Sequence, residues 1–169
     1  MQIKGLDSLM RKLNALGGDV QQALGEGTRQ TAQIAKATAI GNAPASKYSQ
    51  ADSMGGASLK SSISAEDKEI PNGWEGRVFS NAPHAKYVEF GTGPVGAANH
   101  AGTSPHAFVT YTLRPMWAFP VILKGELTFR MTSGQPARPF MYQTAVQHKD
   151  TFEKVVKASL NRAIRGLAK

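Results

Sequence analysis

The N-terminal quarter of the chain places apolar residues at the spacing of α-helices. Four leucines recur at steps of three, four and three residues: Leu6, Leu9, Leu13 and Leu16. This spacing predicts a short amphipathic helix that ends at Gly17. A second helical pattern covers roughly residues 19–40 and stops before Pro44. Within it Gly25 and Gly27 each cost about 1 kcal/mol relative to Ala, so we expect another element to pack closely against them.

The middle of the chain changes to the two-residue period of β-strands. Pro71-Asn72-Gly73 is a strong turn signal, and the segments on either side of it predict an antiparallel hairpin. Phe108–Thr112 and Glu126–Met131 alternate in the same way, whereas Arg114–Pro120 contains two prolines and predicts a break between them. Residues 44–58 are rich in Ala, Ser and Gly and predict a long loop.

The C-terminal part returns to helical spacing, with apolar positions from Phe152 to Leu167 on one face. The order of elements predicts an α+β fold with N-terminal helices, a small mostly antiparallel sheet with an extended arm, and a long C-terminal helix. We expect one domain over residues 1–169. Its parts are a helical region at 1–43, sheet regions at 59–93 and 126–137, an inserted arm at 94–125 and a C-terminal helix at 139–168.

The composition excludes several classes of protein. The chain has 169 residues and no cysteine, which rules out a disulfide scaffold and a thiolate zinc site. No run of about 20 apolar residues is present, so we expect no contact with a membrane interior. The first residues lack the apolar block of a signal peptide, and we therefore expect a cytoplasmic chain unless another factor carries it out.

The polar residues do not form a recognisable catalytic pattern. The chain contains four histidines, His84, His100, His106 and His148. His100 and His106 share one predicted loop, but no thiol or acidic ligand lies near them in the sequence. The sequence has no Walker A loop, no HExxH metalloprotease motif and no GxSxG hydrolase motif. We therefore expect no enzymatic activity, no cofactor and no bound metal.

The charge balance leaves two interpretations open. The formal net charge is +8 and the isoelectric point is about 9.9, as in many proteins that contact nucleic acid. The basic residues are spread along the chain, however, which is equally typical of a basic protein without such a partner. The aromatic residues are not interleaved with the basic ones, as stacking platforms for bases require.

Two segments resemble the neck and tail-completion family of long-tailed bacteriophages, whose members are head–tail joining or minor tail proteins. They are Tyr87–Gly93 (YVEFGTG) and Gln135–Met141 (QPARPFM), the second leading into a long basic helix. Gly5–Leu9 and Leu59–Ile63 are similar to the corresponding opening segments of that family. The chain departs from the family pattern at residues 44–58, which are longer and richer in Gly and Ser, and in its expanded arm.

The resemblance implies a non-catalytic subunit of the virion that works as a homo-oligomeric ring. Such a ring lies at the head-proximal end of the tail, completes the tail and joins it to the head connector. The implied partners are copies of this chain and neighbouring neck, tail-terminator or tail-tube proteins. The alternative is a basic nucleic-acid-binding module, and in a ring some basic residues could also touch passing DNA.

The candidate contact residues come from the two motif segments and the arm. Those expected to meet a neighbouring subunit or partner are Tyr87, Glu89, Phe90, Tyr111, Trp117, Phe119, Arg138 and Phe140. Arg138 is suited to pair with Glu89, or it lies free in solvent. Phe140 fills either the core or a groove on a neighbour. Lys154, Lys157 and Arg162 on the last helix are the candidates to face DNA.

Overall fold

The computed structural model describes residues 17–45, 58–71, 73–98, 109–123 and 125–167. Helices occupy both ends of this order and strands lie between them, which confirms the α+β class. The elements are α1 (Gly18–Asn42), β1 (Ile63–Ile70), β2 (Gly73–Ser80), α2 (Ala85–Phe90), α3 (Gly93–Ala98), β3 (Trp117–Leu123), β4 (Glu126–Thr132) and α4 (Phe140–Leu167). The helix predicted over Leu6–Leu16, most of the loop at 44–58, and His100 and His106 lie outside the described residues.

The strands form two separate two-stranded sheets, β1–β2 and β3–β4. Strands β1 and β2 pair with each other, and because only two residues separate them in the chain, the pair is antiparallel, as the predicted hairpin requires. The chain divides into two compact units. Unit 1 consists of residues 1–37, 65–78 and 147–169, and unit 2 of residues 38–64 and 79–146.

Unit 1 is centred on the packing of α1 against α4. Its apolar core contains Val20, Leu24 and Leu160, with Trp74 and Val156 packed against them. The close packing expected at the two helix glycines is confirmed. A methyl group at Gly25 would lie 2.7 Å from the Trp74 ring, and one at Gly27 would lie 3.2 Å from the Val156 Cα.

Unit 2 is centred on the first turns of α4. Phe140 is fully buried there, so of its two predicted places, the core or a groove on a neighbour, it occupies the core. The Thr144 hydroxyl donates to the Phe140 carbonyl at 2.7 Å, and the Asn42 side-chain amide donates to the Thr144 hydroxyl at 3.1 Å. Ile63 is buried in the same unit, and the Ser62 and Ser80 hydroxyls are hydrogen-bonded at 2.7 Å.

Two predictions for the arm are wrong. Residues 109–112, expected to be a strand, are irregular, whereas the expected break at Arg114–Pro120 contains the start of β3. Pro120 lies within β3, opposite Phe129 of β4. Proline is tolerated in a strand when its nitrogen faces an open edge of the sheet, and among the described residues no strand pairs with the other side of β3.

Candidate functional site

The two segments that carry the family resemblance meet in unit 2. The Thr92 amide donates to the Gln135 carbonyl at 2.9 Å, and the Gln135 amide donates to the Thr92 carbonyl at 3.2 Å. The Arg138 amide donates to the Val88 carbonyl at 2.8 Å. The Gln135 side chain also donates to the Tyr87 carbonyl at 2.8 Å. These backbone contacts make Tyr87–Gly93 and Gln135–Met141 one structural site, which we call the motif junction.

Glycines permit the tight backbone path of the motif junction. Gly91 and Gly93 have φ values of +75° and +62°, and Gly134 has a φ of +101°. These values lie in the left-handed region that side chains disfavour. A methyl group at Gly134 would collide with the Thr92 carbonyl oxygen, and one at Gly93 would lie 2.5 Å from the Trp117 ring. The sequence therefore needs glycine here for both conformation and space.

Glu89 caps the start of α4 from a distant part of unit 2. Its buried carboxylate accepts the Met141 amide at 3.0 Å and the Tyr142 amide at 2.9 Å. The first amides of a helix have no partner within it, and an acceptor placed here satisfies them. Burial raises the pKa of Glu89, and the hydrogen bonds from the helix backbone oppose that rise without cancelling it.

The predicted pairing of Glu89 with Arg138 is wrong. Both carboxylate oxygens of Glu89 accept backbone amides of α4, and among the described residues no ion pair joins Glu89 to Arg138. Arg138 is exposed instead. A carboxylate that is already satisfied and buried gains little from a guanidinium that would lose its own hydration. Sequence reasoning missed this cap because the residues it joins are 52 positions apart.

The predicted contact residues differ in burial, and Phe90, Tyr111 and Trp117 are half-buried. Glu89 and Phe140 are buried inside the chain. Trp117 packs on Gly93, and the Tyr111 hydroxyl donates to the Phe90 carbonyl at 2.8 Å. The other described candidates with exposed side chains are Tyr87, Phe119 and Arg138. That any of these residues contacts a neighbouring subunit stays a prediction.

The β3–β4 hairpin carries an exposed apolar surface whose residues were not among the predicted contact residues. Trp117 lies opposite Thr132, and this register continues to Leu123 opposite Glu126. Opposite residues of an antiparallel pair share a face of the sheet. One face is therefore wholly apolar and consists of Ala118, Pro120, Ile122, Leu127, Phe129 and Met131. We call it the apolar hairpin face, and Leu127, Phe129 and Met131 on it are 65%, 66% and 60% exposed.

The opposite face of the hairpin is mixed. Trp117 packs on Gly93, while Arg130 and Glu126 place ionisable groups on the same side. The alternation of Leu127, Phe129 and Met131 predicts that they share a face, but alternation alone does not say which face is covered. In an ordinary hairpin the apolar face would be the buried one. Here it is the exposed one.

The basic residues proposed to face DNA lie on the part of α4 that belongs to unit 1. Lys154, Lys157 and Arg162 are all exposed. Lys157 forms an ion pair with Glu153 one turn earlier. Arg162 lines an open cleft together with Glu26 of α1. This side of α4 is therefore basic, but the carboxylates of Glu153 and Glu26 offset part of its positive charge.

Two searches of the described residues gave negative results. None of the helices found there is long and apolar enough to cross a bilayer. No group of three or more His, Cys, Asp or Glu side chains in the same part of the chain is arranged to hold a metal ion.

A protein-family model matches the N-terminal half of the chain. The model of the family described as "Bacteriophage HK97-gp10, putative tail-component" matches residues 7–91. The match includes α1, the first hairpin and the motif segment up to Gly91. Comparisons with curated proteins and with solved structures gave no match.

Proposed function

Because the chain belongs to the HK97-gp10-like family of bacteriophage tail components, we propose that it is a ring-forming subunit at the head-proximal end of the tail. In this role it completes the tail and joins it to the head connector. Membership of the family makes the chain a structural tail component, and hence a part of the virion. The observation that carries the ring proposal is the apolar hairpin face, which a lone copy leaves exposed to water.

The motif junction supports a structural role. Within the described part of the chain, Glu89 is the ionisable residue that is buried, and its carboxylate caps α4. Three glycines with positive φ and paired backbone segments fix the base of the β3–β4 hairpin. The geometry thus builds a firm support for an apolar surface. The proposed partners are further copies of this chain and neighbouring neck, tail-terminator or tail-tube proteins, assembled in the host cytoplasm.

The joining role is tested with a phage or prophage that lacks this gene. We expect negative-stain images of its lysates to show DNA-filled heads and finished tails lying apart. Purified protein added to the lysate should restore infectious particles. Intact, infectious particles in the absence of the gene would overturn the proposal.

A basic nucleic-acid-binding module is the second candidate, favoured by the exposed cations of α4. Phosphate contacts would give an affinity that falls steeply as salt rises. Replacing Lys154, Lys157 and Arg162 by Glu should abolish such binding. In the ring proposal the same replacement tests contact with passing DNA, because unchanged yields of infectious particles would exclude a required contact.

A further inference from the structure

The apolar hairpin face leaves three large side chains mostly exposed to water. An aromatic side chain can bury about 150–250 Å², so Phe129 at 66% exposure leaves roughly 100–165 Å² of apolar surface in water, and Leu127 and Met131 add to it. The largest apolar patch on a typical monomer is about 300–600 Å² and is often functional. A two-stranded hairpin is also marginally stable until its face is covered. Both facts indicate that another surface packs on this face.

The exposed apolar side chains lie on the face of the hairpin, and Pro120 disfavours the addition of a strand at the β3 edge. Because proline has no N–H to donate, Pro120 fits opposite Phe129 when its nitrogen faces the edge of β3 that no described strand covers. That edge therefore lacks a hydrogen-bond donor where an added strand would need one. Edge prolines of this kind are a common defence against strand addition.

A second apolar surface lies in the same unit, on the first turns of α4. Tyr142 and Val146 are one turn apart, so they share a side of the helix. They are 47% and 60% exposed. Glu89 holds the start of this helix through the Tyr142 and Met141 amides. The chain thus presents two different apolar surfaces on a well-supported framework.

Two different surfaces on one chain favour a head-to-tail contact between copies. When the first surface of one copy binds the second surface of the next copy, the same contact repeats around the assembly. It closes into a ring if the rotation between copies allows it. Two hairpin faces packed on each other would instead form a dimer and leave neither face free for a third copy. A single contact of this size is below the roughly 1,000 Å² of a stable interface, whereas each copy in a closed ring makes two.

We infer that the apolar hairpin face of one copy packs on Tyr142 and Val146 of the next copy. This inference rests on the proposed ring and assigns its contact surfaces. The hairpin face carries no ionisable side chain, so copies with a formal charge of +8 meet through uncharged surfaces. Burial of the apolar side chains supplies the attraction.

The absence of cysteine makes a cross-linking experiment direct. Phe129→Cys and Val146→Cys are prepared as two single variants with tags of different mass and treated with a short bismaleimide. We expect a mixed dimer when the two are combined and no dimer from either alone. Thr128→Cys, on the opposite face of the hairpin, is the matched control and should give no mixed dimer with Val146→Cys. Dimers from Phe129→Cys alone, or none from the mixture, would overturn the inference.

A second pair of variants separates this inference from the proposed function. Leu127→Ser alters the apolar hairpin face, while Leu113→Ser alters a more exposed leucine outside the hairpin. Loss of one buried leucine contact should weaken self-association by about tenfold or more, and Leu113→Ser should have no effect. Leu127→Ser should also fail to restore joining in the gene-deficient lysate. If it restores joining as well as the unaltered protein does, the inference fails and the joining role stands.

Discussion

At the scale of single residues, the motif junction depends on one carboxylate and a few glycines. Glu89 satisfies two amides at the start of α4, and the glycines let two backbone segments approach within hydrogen-bond distance. Glu89 should tolerate few substitutions, because the loss of its acceptor oxygens leaves two helix amides without a partner. A methyl group at Gly134 would meet backbone atoms that have no rotamer with which to move away.

The raised pKa of Glu89 predicts a pH dependence of stability. A group that binds its proton more tightly in the folded state stabilises that state most below its unfolded pKa of about 4.5, and the contribution is lost as pH rises through the folded pKa. Glu89→Gln keeps an acceptor oxygen without a charge, so it should lack this loss. Urea unfolding of both proteins from acid to neutral pH should show the unaltered protein losing stability relative to the variant.

Glu153→Gln provides the control for this pH dependence. Lys157 lowers the pKa of the exposed Glu153 carboxyl, so its stabilising contribution is present above the unfolded pKa and is lost as pH falls. The difference between the unaltered protein and this variant should therefore change with pH in the opposite direction. The raised pKa of Glu89 would be contradicted in two cases. Either the stability difference between the unaltered protein and Glu89→Gln does not change with pH, or it changes in the same direction as the difference for Glu153→Gln.

Gly134→Ala and Gly125→Ala should separate conformational strain from collision. Both glycines have positive φ, but a methyl group at Gly125 meets nothing within 4 Å, whereas one at Gly134 meets the Thr92 carbonyl. Gly125→Ala should cost about 1–2 kcal/mol for the left-handed backbone alone. Gly134→Ala should cost more, as measured by chemical unfolding. Equal costs would mean that the junction relaxes freely.

At the scale of elements, helix α1 contains glycines with different roles. Gly25 accommodates Trp74 and Gly27 accommodates Val156 and Ser159, so both permit close packing. Gly41, in the last turn of α1, faces open space. The lower helix propensity of glycine is therefore compensated by packing at the first two positions but not at the third.

Two substitutions in α1 should shift stability in opposite directions. Gly41→Ala should raise the free energy of unfolding by about 0.5–1 kcal/mol, because alanine restricts the unfolded chain and clashes with nothing. Gly25→Leu should lower it by about 1–3 kcal/mol through overpacking against Trp74. Midpoints of urea unfolding measure both changes. A stabilising Gly25→Leu would show that Trp74 moves aside readily.

At the scale of the whole molecule, net charge opposes self-association and apolar surface favours it. Copies with a formal charge of +8 repel one another over distances comparable to the screening length of about 10 Å at 0.1 M salt. The apolar hairpin face is insensitive to that screening. Salt therefore acts on the repulsion and leaves the attraction in place.

This balance predicts that self-association strengthens as salt rises from about 50 mM to about 500 mM. Sedimentation velocity at several salt concentrations measures it. Replacing Lys154, Lys157 and Arg162 by Glu moves the formal charge from +8 to +2 and should flatten the dependence. Association held by charge pairs would instead weaken with salt, as would binding to DNA.

Local patterns in the sequence determined α1, α4, the first hairpin and β4, and they indicated the family. Helical spacing predicted α1 and α4, the Pro71-Asn72-Gly73 turn predicted the first hairpin, and two short motifs indicated a phage tail protein. These predictions hold because hydrogen bonding in helices and tight turns depends on residues close in sequence. The tertiary structure decided the rest. It paired Glu89 with the start of α4, placed Pro120 at an open strand edge, and turned Leu127, Phe129 and Met131 toward water. Alternation divides a strand into two faces, but only the packing of distant segments determines which face is covered.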